Sequence, residues 1–275
     1  MTSSRAPYVV DPADPRAPSQ DIWDRLTISE RVHVVASLPH EFEPSEAHPP
    51  EGDFHYEAVA SARDALKGYF GRLGRRIYIG SDLPVYYPGE AMISADVQVV
   101  TDVDPHLRNS WVVSVEGKGL DLAIEVHVRG DYAKDTARNL VNCARLGIAE
   151  YFVVDVPRLR LLGYRQPRPG EAYQPIIPQQ GRWASGVLGL DLMLHDNKLR
   201  FFHGMAALPE SAELIVKLGA MLDETVAKKE EAERLQQEAE RLQQEAERSR
   251  DEAQRTADAE IVRLKAELED LRRRR

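Results

Sequence analysis

Two acidic residues lie in segments of the chain that are otherwise apolar. Asp96 is in the sequence MISADVQVV, and Glu125 is in LDLAIEVHV. Hydrolysis of a phosphodiester with a divalent ion needs hard oxygen ligands, usually carboxylates from neighbouring strands. Taken singly, each acid has a structural alternative, at a sheet edge or facing solvent. Together, in two neighbouring apolar strands, they favour a divalent-metal site.

The segment around Glu125 is predicted to be a strand over residues 120–128, and its side chains alternate between two faces. One face carries Asp121, Ala123, Glu125 and His127, and the other carries Leu122, Ile124, Val126 and Val128. Glu125 and His127 therefore point the same way, about 6–7 Å apart along the strand. His127 is either a structural, hydrogen-bonded histidine or a group that orients water and stabilises charge.

The elements that must position these acids predict an α/β fold. A helix over residues 54–73 precedes strands over 76–79, 85–87, 92–101, 111–116 and 120–128. A helix over 132–146, ended by Gly147, leads directly into a buried strand over 150–154, which indicates a parallel crossover. Further strands are predicted over 158–164 and within 173–202. His55, on the first of these helices, is kept as a candidate that projects towards the acids.

Composition divides the chain into three parts. Residues 1–53 are predicted to be a flexible, acidic arm with a short helix from Ser29 to Ser37, capped by Ser29. Residues 54–207 form the α/β core, and residues 208–275 are helical. The net charge of −9 is concentrated at the start, because residues 1–56 hold ten acids and four bases whereas residues 57–223 hold twenty acids and nineteen bases. The near-neutral core permits a local basic groove but does not establish one.

The last part of the chain repeats every seven residues. Small and apolar side chains recur at alternating spacings of three and four, first as Ala232, Leu235, Ala239, Leu242, Ala246, Ser249 and Ala253, and then, after one extra residue, as Ile261, Leu264, Leu268 and Leu271. Such a seam predicts a coiled coil that joins copies of the chain into a homo-oligomer. The alternative is a solvated single helix held by Glu–Arg and Glu–Lys pairs. The mixed charges beside the seam leave the orientation of the helices open.

The sequence also indicates the cellular compartment in which the protein is expected. The single cysteine, Cys143, excludes an intramolecular disulfide and is interpreted as a small buried residue. The first twenty residues lack the pattern of a signal peptide, and no apolar run approaches the length of a membrane span. We therefore expect a cytoplasmic protein without a membrane partner.

Several motifs of the chain resemble the PD-(D/E)XK superfamily of restriction endonuclease-like proteins, and more closely its bacterial Uma-two family. The matching segments are Ala95-Asp96, Ile124-Glu125-Val126, Asp135 at the helix aspartate of the family, and Gly147 to Asp155 at its GV-x-EYW-x-VD ending. Ser110 to Val113 and Glu116 to Lys118 are similar to a subset of members that end in coiled coils. The resemblance covers residues 54–202.

This resemblance implies a restriction endonuclease-like fold, in which helices flank a central mixed sheet. It also implies cleavage of DNA that depends on Mg²⁺, with Mn²⁺ as a possible substitute. Asp96 and Glu125 would be the metal ligands. Two positions depart from the family pattern: Ala95 replaces the motif proline, and the motif lysine is absent. His127 stands at the usual lysine position, and Asn139 stands at the helix position where relatives often carry lysine.

Three residues are candidates to replace the missing lysine. His127 is the first, although a histidine is not equivalent to a lysine near pH 7. Lys134 and Arg138 lie four residues apart on one helix face, where each is either a phosphate contact or a solvated charge. The catalytic set is accordingly Asp96, Glu125, His127 and Lys134.

Two other classes of function stay open at this stage. One is a nuclease fold without activity that acts as an oligomeric scaffold through its coiled coil, which the missing lysine and the acidic arm favour. The other is a module that binds nucleic acid without cleaving it, which the near-neutral core makes less favourable.

Overall fold

The computed structural model describes residues 8–40, 52–128, 132–195 and 198–273, except for the side chains of residues 134, 135 and 269–273. The chain forms two compact units, Met1–Ser211 and Ala212–Arg275.

The helices are α1 (Gln20–Trp23), α2 (Ile28–Ser37), α3 (Asp53–Arg72), α4 (Val113–Glu116), α5 (Asn139–Arg145) and α6 (Ser211–Arg273), with a π-helical turn at Lys134–Arg138. The strands are β1 (Ile77–Gly80), β2 (Val85–Tyr86), β3 (Val97–Thr101), β4 (Trp111–Val112), β5 (Leu122–His127), β6 (Glu150–Asp155), β7 (Arg160–Arg165), β8 (Gln174–Pro175), β9 (Trp183–Ser185), β10 (Leu190–His195), β11 (Lys198–His203) and β12 (Ala206–Ala207).

A mixed sheet of six strands forms the centre of the first unit, in the order β1-β3-β5-β6-β7-β8. Strands β5 and β6 are parallel, in a register that runs from Leu122 opposite Glu150 to His127 opposite Asp155. The other neighbouring pairs are antiparallel. The α/β fold predicted from the strand–helix–strand run is therefore confirmed, as is the central mixed sheet that the family resemblance implies.

Both faces of β5 are covered, and the predicted alternation of its side chains is confirmed. Leu122, Ile124 and Val126 join one core cluster with α3 and the four-stranded sheet β12-β11-β10-β9. Ala123 joins a second cluster that includes Cys143 of α5. Because the sheet is covered on both sides, Glu125, the acid of β5, is buried in protein and does not lie on an open surface.

Two predicted strands are shorter than expected. β3 begins at Val97, so that Asp96 lies in a bend before the strand and not inside it. Its side chain, and not its main chain, accepts the hydrogen bond from β5, which ends the ladder. The predicted strand over 111–116 stops at Val112, because the next residues close a helical turn through a hydrogen bond from Gly117 N to Val113 O. Gly117 then ends this turn in the left-handed conformation.

The arm that was predicted to be flexible is packed over residues 8–40. Its apolar residues are buried against two side chains of the core, in a cluster formed by Val10, Ala17, Trp23, Leu26, Val34, Leu38, Tyr86 and Val112. The short helix α2 is present, but its cap is Thr27 and not Ser29, and Thr27 forms a capping box with Glu30. Residues 41–51 of the predicted arm lie outside the described residues.

The second unit contains the helical tail. α6 is continuous from Ser211 to Arg273 over 63 residues. Its seam side chains are exposed in the single chain, with Leu235 at 62%, Leu242 at 54% and Leu264 at 52%. The side chain of Leu271, the last predicted seam residue, lies outside the described set. Within the described ranges, no helix carries an apolar stretch that could cross a bilayer.

Candidate active site

The register between β3 and β5 brings the two predicted acids together. Val97 lies opposite Ile124 and Val99 lies opposite Leu122, so one further step places Asp96 opposite Glu125. Residues opposed in this way on antiparallel strands have Cα atoms about 4.5–5.5 Å apart. The Asp96 carboxylate oxygen Oδ2 accepts a hydrogen bond from the backbone N–H of Val126 at 2.6 Å. Asp96 therefore contacts the peptide bond that directly follows Glu125.

Glu125 is almost fully buried, at 7% exposure. Its Oε1 accepts a hydrogen bond from Nδ2 of Asn139 at 3.2 Å. Asn139 is the first residue of α5 and follows the π-helical turn directly. Single π-helical turns inside helices occur often at functional sites. Asn139, which the family resemblance places at a lysine position, is thus in contact with the second acid of the site.

His55 is the neighbour of Asp96 on its other side. Its Nε2 lies 3.2 Å from Oδ1 of Asp96, and the two side chains are 15% and 16% exposed. The suggestion that His55 projects from the first core helix towards the acids is borne out by this contact. Asp96 is consequently held between a strand backbone and a helix side chain.

His127 lies two residues beyond Glu125 and is buried, at 6% exposure. Its ring meets the ring of Tyr132 edge-on, with the centroids 5.1 Å apart. The guanidinium carbon of Arg158 lies 4.5 Å from the centre of the Tyr132 ring. Arg158 also donates to Oδ2 of Asp155 at 3.2 Å, and Asp155 is opposite His127 in the register. These four residues form a continuous set of contacts at the carboxyl ends of β5 and β6.

Sequence reasoning did not identify Tyr132, Asp155 or Arg158 as part of this set. The available signal was the position of Asp155 at the end of a buried strand that runs parallel to the strand of Glu125. Arg158 follows shortly after, and its side chain is 52% exposed whereas that of Asp155 is 0% exposed. A buried carboxylate thus positions a cation that reaches solvent.

The other lysine candidates have different outcomes. The backbone of Lys134 lies in the π-helical turn, but its side chain and that of Asp135 are outside the described set. Arg138 is exposed on the same turn. Lys118, which is not one of these candidates, contacts Thr101 and Asp121, with its Nζ 2.8 Å from Thr101 O and 2.7 Å from Asp121 Oδ2. Because Thr101 ends β3 and Asp121 precedes β5, Lys118 lies at the opposite end of these strands from the acids.

Cys143 lies on the helix that follows Asn139 and is buried, as the sequence predicts. Burial, together with the negative charge of Glu125, raises the pKa of the Cys143 thiol to about 12. The thiol is therefore uncharged at neutral pH, and it packs as a small apolar group beside the site.

Glu150 is a third buried acid, but its contacts are structural. Its carboxylate pairs with Arg165, at 2.7 Å from Oε1 to Nε, and accepts from the Ser185 hydroxyl and the Gly186 N–H. These bonds join β6 to β7 and to the turn after β9. The described residues contain no cluster of three or more histidine, cysteine, aspartate or glutamate side chains arranged to hold a metal ion. The candidate site therefore rests on two carboxylates.

Comparison with known proteins identifies the family of the chain. The family described as "Putative restriction endonuclease" (Uma2) matches residues 45–195, which is more than half of the chain. A crystal structure of a protein from Anabaena variabilis, described as a "putative nuclease", is 15% identical, with a TM-score of 0.42 over 60% of this chain and 91% of that one. No curated protein matches the chain. The chain belongs to the Uma-two family of restriction endonuclease-like proteins.

Proposed function

We propose that this protein is a metal-dependent endonuclease that hydrolyses phosphodiester bonds of DNA. The observation that carries the proposal is the contact of the Asp96 carboxylate with the peptide after Glu125, at 2.6 Å. This contact brings two acids from neighbouring strands to one end of the sheet, within the segment that matches a family of nuclease-like proteins.

The donor set fits a divalent ion such as Mg²⁺ or Mn²⁺. Mg²⁺ prefers oxygen ligands, and it is often held by one or two carboxylates together with waters and substrate phosphates. A carboxylate has about four lone-pair sites. Asp96 accepts from Val126 N–H and lies beside His55, and Glu125 accepts from the Asn139 amide, so both carboxylates are held at one end of the sheet. We therefore assign Asp96 and Glu125 as the ligands.

When bound, the ion supplies Lewis-acid chemistry, because it neutralises charge on the phosphate and acidifies water. The protein residues hold the two carboxylates in place for that task. Val126 N–H and His55 fix the orientation of Asp96, and the Asn139 amide fixes that of Glu125. His127 lies on the same face of β5 as Glu125, where its imidazole would orient water or accept a proton.

Arg158 is our candidate for the cation that contacts the phosphate. A guanidinium matches the geometry of phosphate oxygens and stays charged at all working pH values. The ring of Tyr132 and the carboxylate of Asp155 position Arg158 from two sides, and half of its side chain reaches solvent. Lys134, on the neighbouring turn, stays a second candidate for the same task.

An inactive scaffold is the alternative, and one observation favours it. The residue in contact with Glu125 from the helix is Asn139, which is neutral, where relatives often carry a lysine. Without that cation the charge that develops on the phosphate is less well stabilised. A module that binds DNA without cleavage would have the same neutral contact.

Cleavage of supercoiled plasmid with Mg²⁺ or Mn²⁺ separates these functions. We expect nicking by the wild-type protein that is lost in Asp96→Asn and in Glu125→Gln. Asp64→Asn is the matched control, because this carboxylate is 54% exposed on α3. If none of the proteins cleaves and the metal leaves the melting temperature unchanged, the endonuclease proposal is wrong. DNA binding without cleavage would then identify the binding module.

We further propose that residues 224–275 join copies of the chain. The exposed seam leucines of α6 support this, because Leu235 and Leu242 recur in identical heptads. Leu242→Glu should lower the mass measured by light scattering, whereas Gln244→Glu, two residues away on the outer face, should not. An unchanged mass in both would leave a solvated single helix.

A further inference from the structure

We propose that α6 forms a parallel, two-stranded coiled coil with a second copy of this chain. The heptad positions are fixed by the repeat, with Ala232, Ala239, Ala246 and Ala253 at a, and Leu235, Leu242 and Ser249 at d. All seven lie on the single continuous helix and are exposed in the isolated chain. Their burial requires a partner helix, and the identity of the repeat fits a second copy of the same sequence.

Although the charges beside the seam are mixed, those at position g favour the parallel orientation. Position g holds glutamate in three successive heptads, at Glu238, Glu245 and Glu252. In an antiparallel pair of this segment, g faces g, so glutamate would face glutamate each time. In a parallel pair, g faces the e position of the next heptad on the partner. Glu238 then faces a neutral Gln243 and Glu245 faces Arg250.

The glutamate–arginine pair forms twice in a symmetric dimer. In the isolated helix, Glu245 lies 3.7 Å from Arg241, with the two side chains 62% and 69% exposed. Both remain close to solvent, so Glu245 is accessible to a partner. The next heptad has Ile261 at a and Leu264 at d, a combination that favours two strands over three or four.

The orientation has a consequence for the candidate active site, and this step rests on the proposed function. Each core is joined to the amino-terminal end of its own helix at Ser211. In a parallel pair the two chains therefore enter the coiled coil at the same end, and each dimer carries two candidate sites. When both sites act on one duplex, linear plasmid should form without prior build-up of the nicked circle.

Spin labels on two outer positions test the orientation in the full chain. Gln237→Cys and Ala266→Cys place labels at f positions 29 residues apart, which is about 43 Å along a helix. A parallel, in-register dimer gives a short distance of about 20–30 Å between the two copies at both sites. In any antiparallel arrangement at least one site exceeds about 43 Å. A long distance at either site, or no distance between copies, overturns the proposal.

Two controls complete this experiment. The wild-type chain treated with the same label should give no distance, because its only cysteine is buried. Arg250→Glu should weaken the dimer several-fold, and the double variant Glu245→Arg/Arg250→Glu should restore it. A mass other than twice 31.0 kDa would contradict two strands. These readouts do not need cleavage, so a failed nuclease proposal and a failed dimer are distinguished.

Discussion

The amide Nδ2 of Asn139 donates a hydrogen bond to Oε1 of Glu125 at 3.2 Å. The contact crosses from the start of a helix to a buried strand. A neutral amide positions the carboxylate but adds no positive charge. In the proposed reaction, this pair therefore contributes no cation to stabilise charge on the substrate phosphate.

Asn139→Lys should raise the rate of DNA cleavage about tenfold or more, because an ammonium group near the reacting phosphate stabilises developing negative charge. The measurement is the initial rate of plasmid nicking with Mg²⁺. Asn142→Lys is the matched control, since Asn142 is exposed on the same helix. A rate equal to that of the wild type in both variants would show that the missing lysine does not limit the reaction.

His55→Gln should weaken binding of the divalent ion about tenfold, because partners that orient a metal ligand contribute on this scale. The observation behind this expectation is the 3.2 Å contact of His55 Nε2 with Asp96. Calorimetric titration with Mn²⁺ measures the affinity. His33→Gln, at an exposed position of α2, should leave it unchanged. Equal affinities in the wild type and both variants would remove His55 from the site.

Arg158→Ala should weaken DNA binding in the absence of metal. It should also reduce the slope of log affinity against log salt by about one, as expected for loss of one phosphate contact. Fluorescence anisotropy with a labelled duplex at several salt concentrations gives both quantities. Arg160→Ala removes an exposed arginine two residues away and serves as the control. Identical slopes in the wild type and in Arg158→Ala would mean that this arginine only packs on Tyr132.

The predicted strands placed the two acids next to each other because side-chain alternation and the crossover are local patterns. The packing of residues 8–40 could not be predicted in the same way. Val10 and Trp23 have no shared periodicity, and they are buried only because Tyr86 and Val112 of the core receive them. Arg158 was missed for a similar reason, since its partner Tyr132 is 26 residues away in the sequence. Asp96 lies outside the strand predicted for it, because its side chain, and not its main chain, accepts the hydrogen bond from Val126 of β5.

The thiol of Cys143 should be almost unreactive in the folded protein. With a pKa of about 12, roughly one thiol in ten thousand is ionised at pH 8. A disulfide reagent should therefore react slowly in buffer and rapidly in urea. Fast reaction in buffer would contradict the burial.

The same raised pKa has a consequence for stability. Because the folded-state pKa lies above the ordinary value of 9.0, the contribution of the neutral thiol is complete below about pH 9 and is lost as the pH rises towards 12. The free energy of unfolding of the wild type should fall relative to that of Cys143→Ala over this window. A constant difference between the two proteins would contradict the shift.

Glu150→Gln should lower the stability of the protein and keep cleavage, whereas Asp96→Asn should keep most of the stability and lose cleavage. Together the two variants test whether Asp96 is merely structural. Glu150 is buried and paired with Arg165, so its loss should cost about 2 kcal/mol of unfolding free energy, less than a fully buried pair because Arg165 is 45% exposed. Asp96→Asn keeps an oxygen that accepts from Val126 N–H, so its cost should stay below about 1 kcal/mol. Urea denaturation measures both, and metal-dependent cleavage should be lost only in Asp96→Asn. If Asp96→Asn destabilised the protein as much as Glu150→Gln while cleavage persisted, Asp96 would be an anchor of the sheet and not a metal ligand.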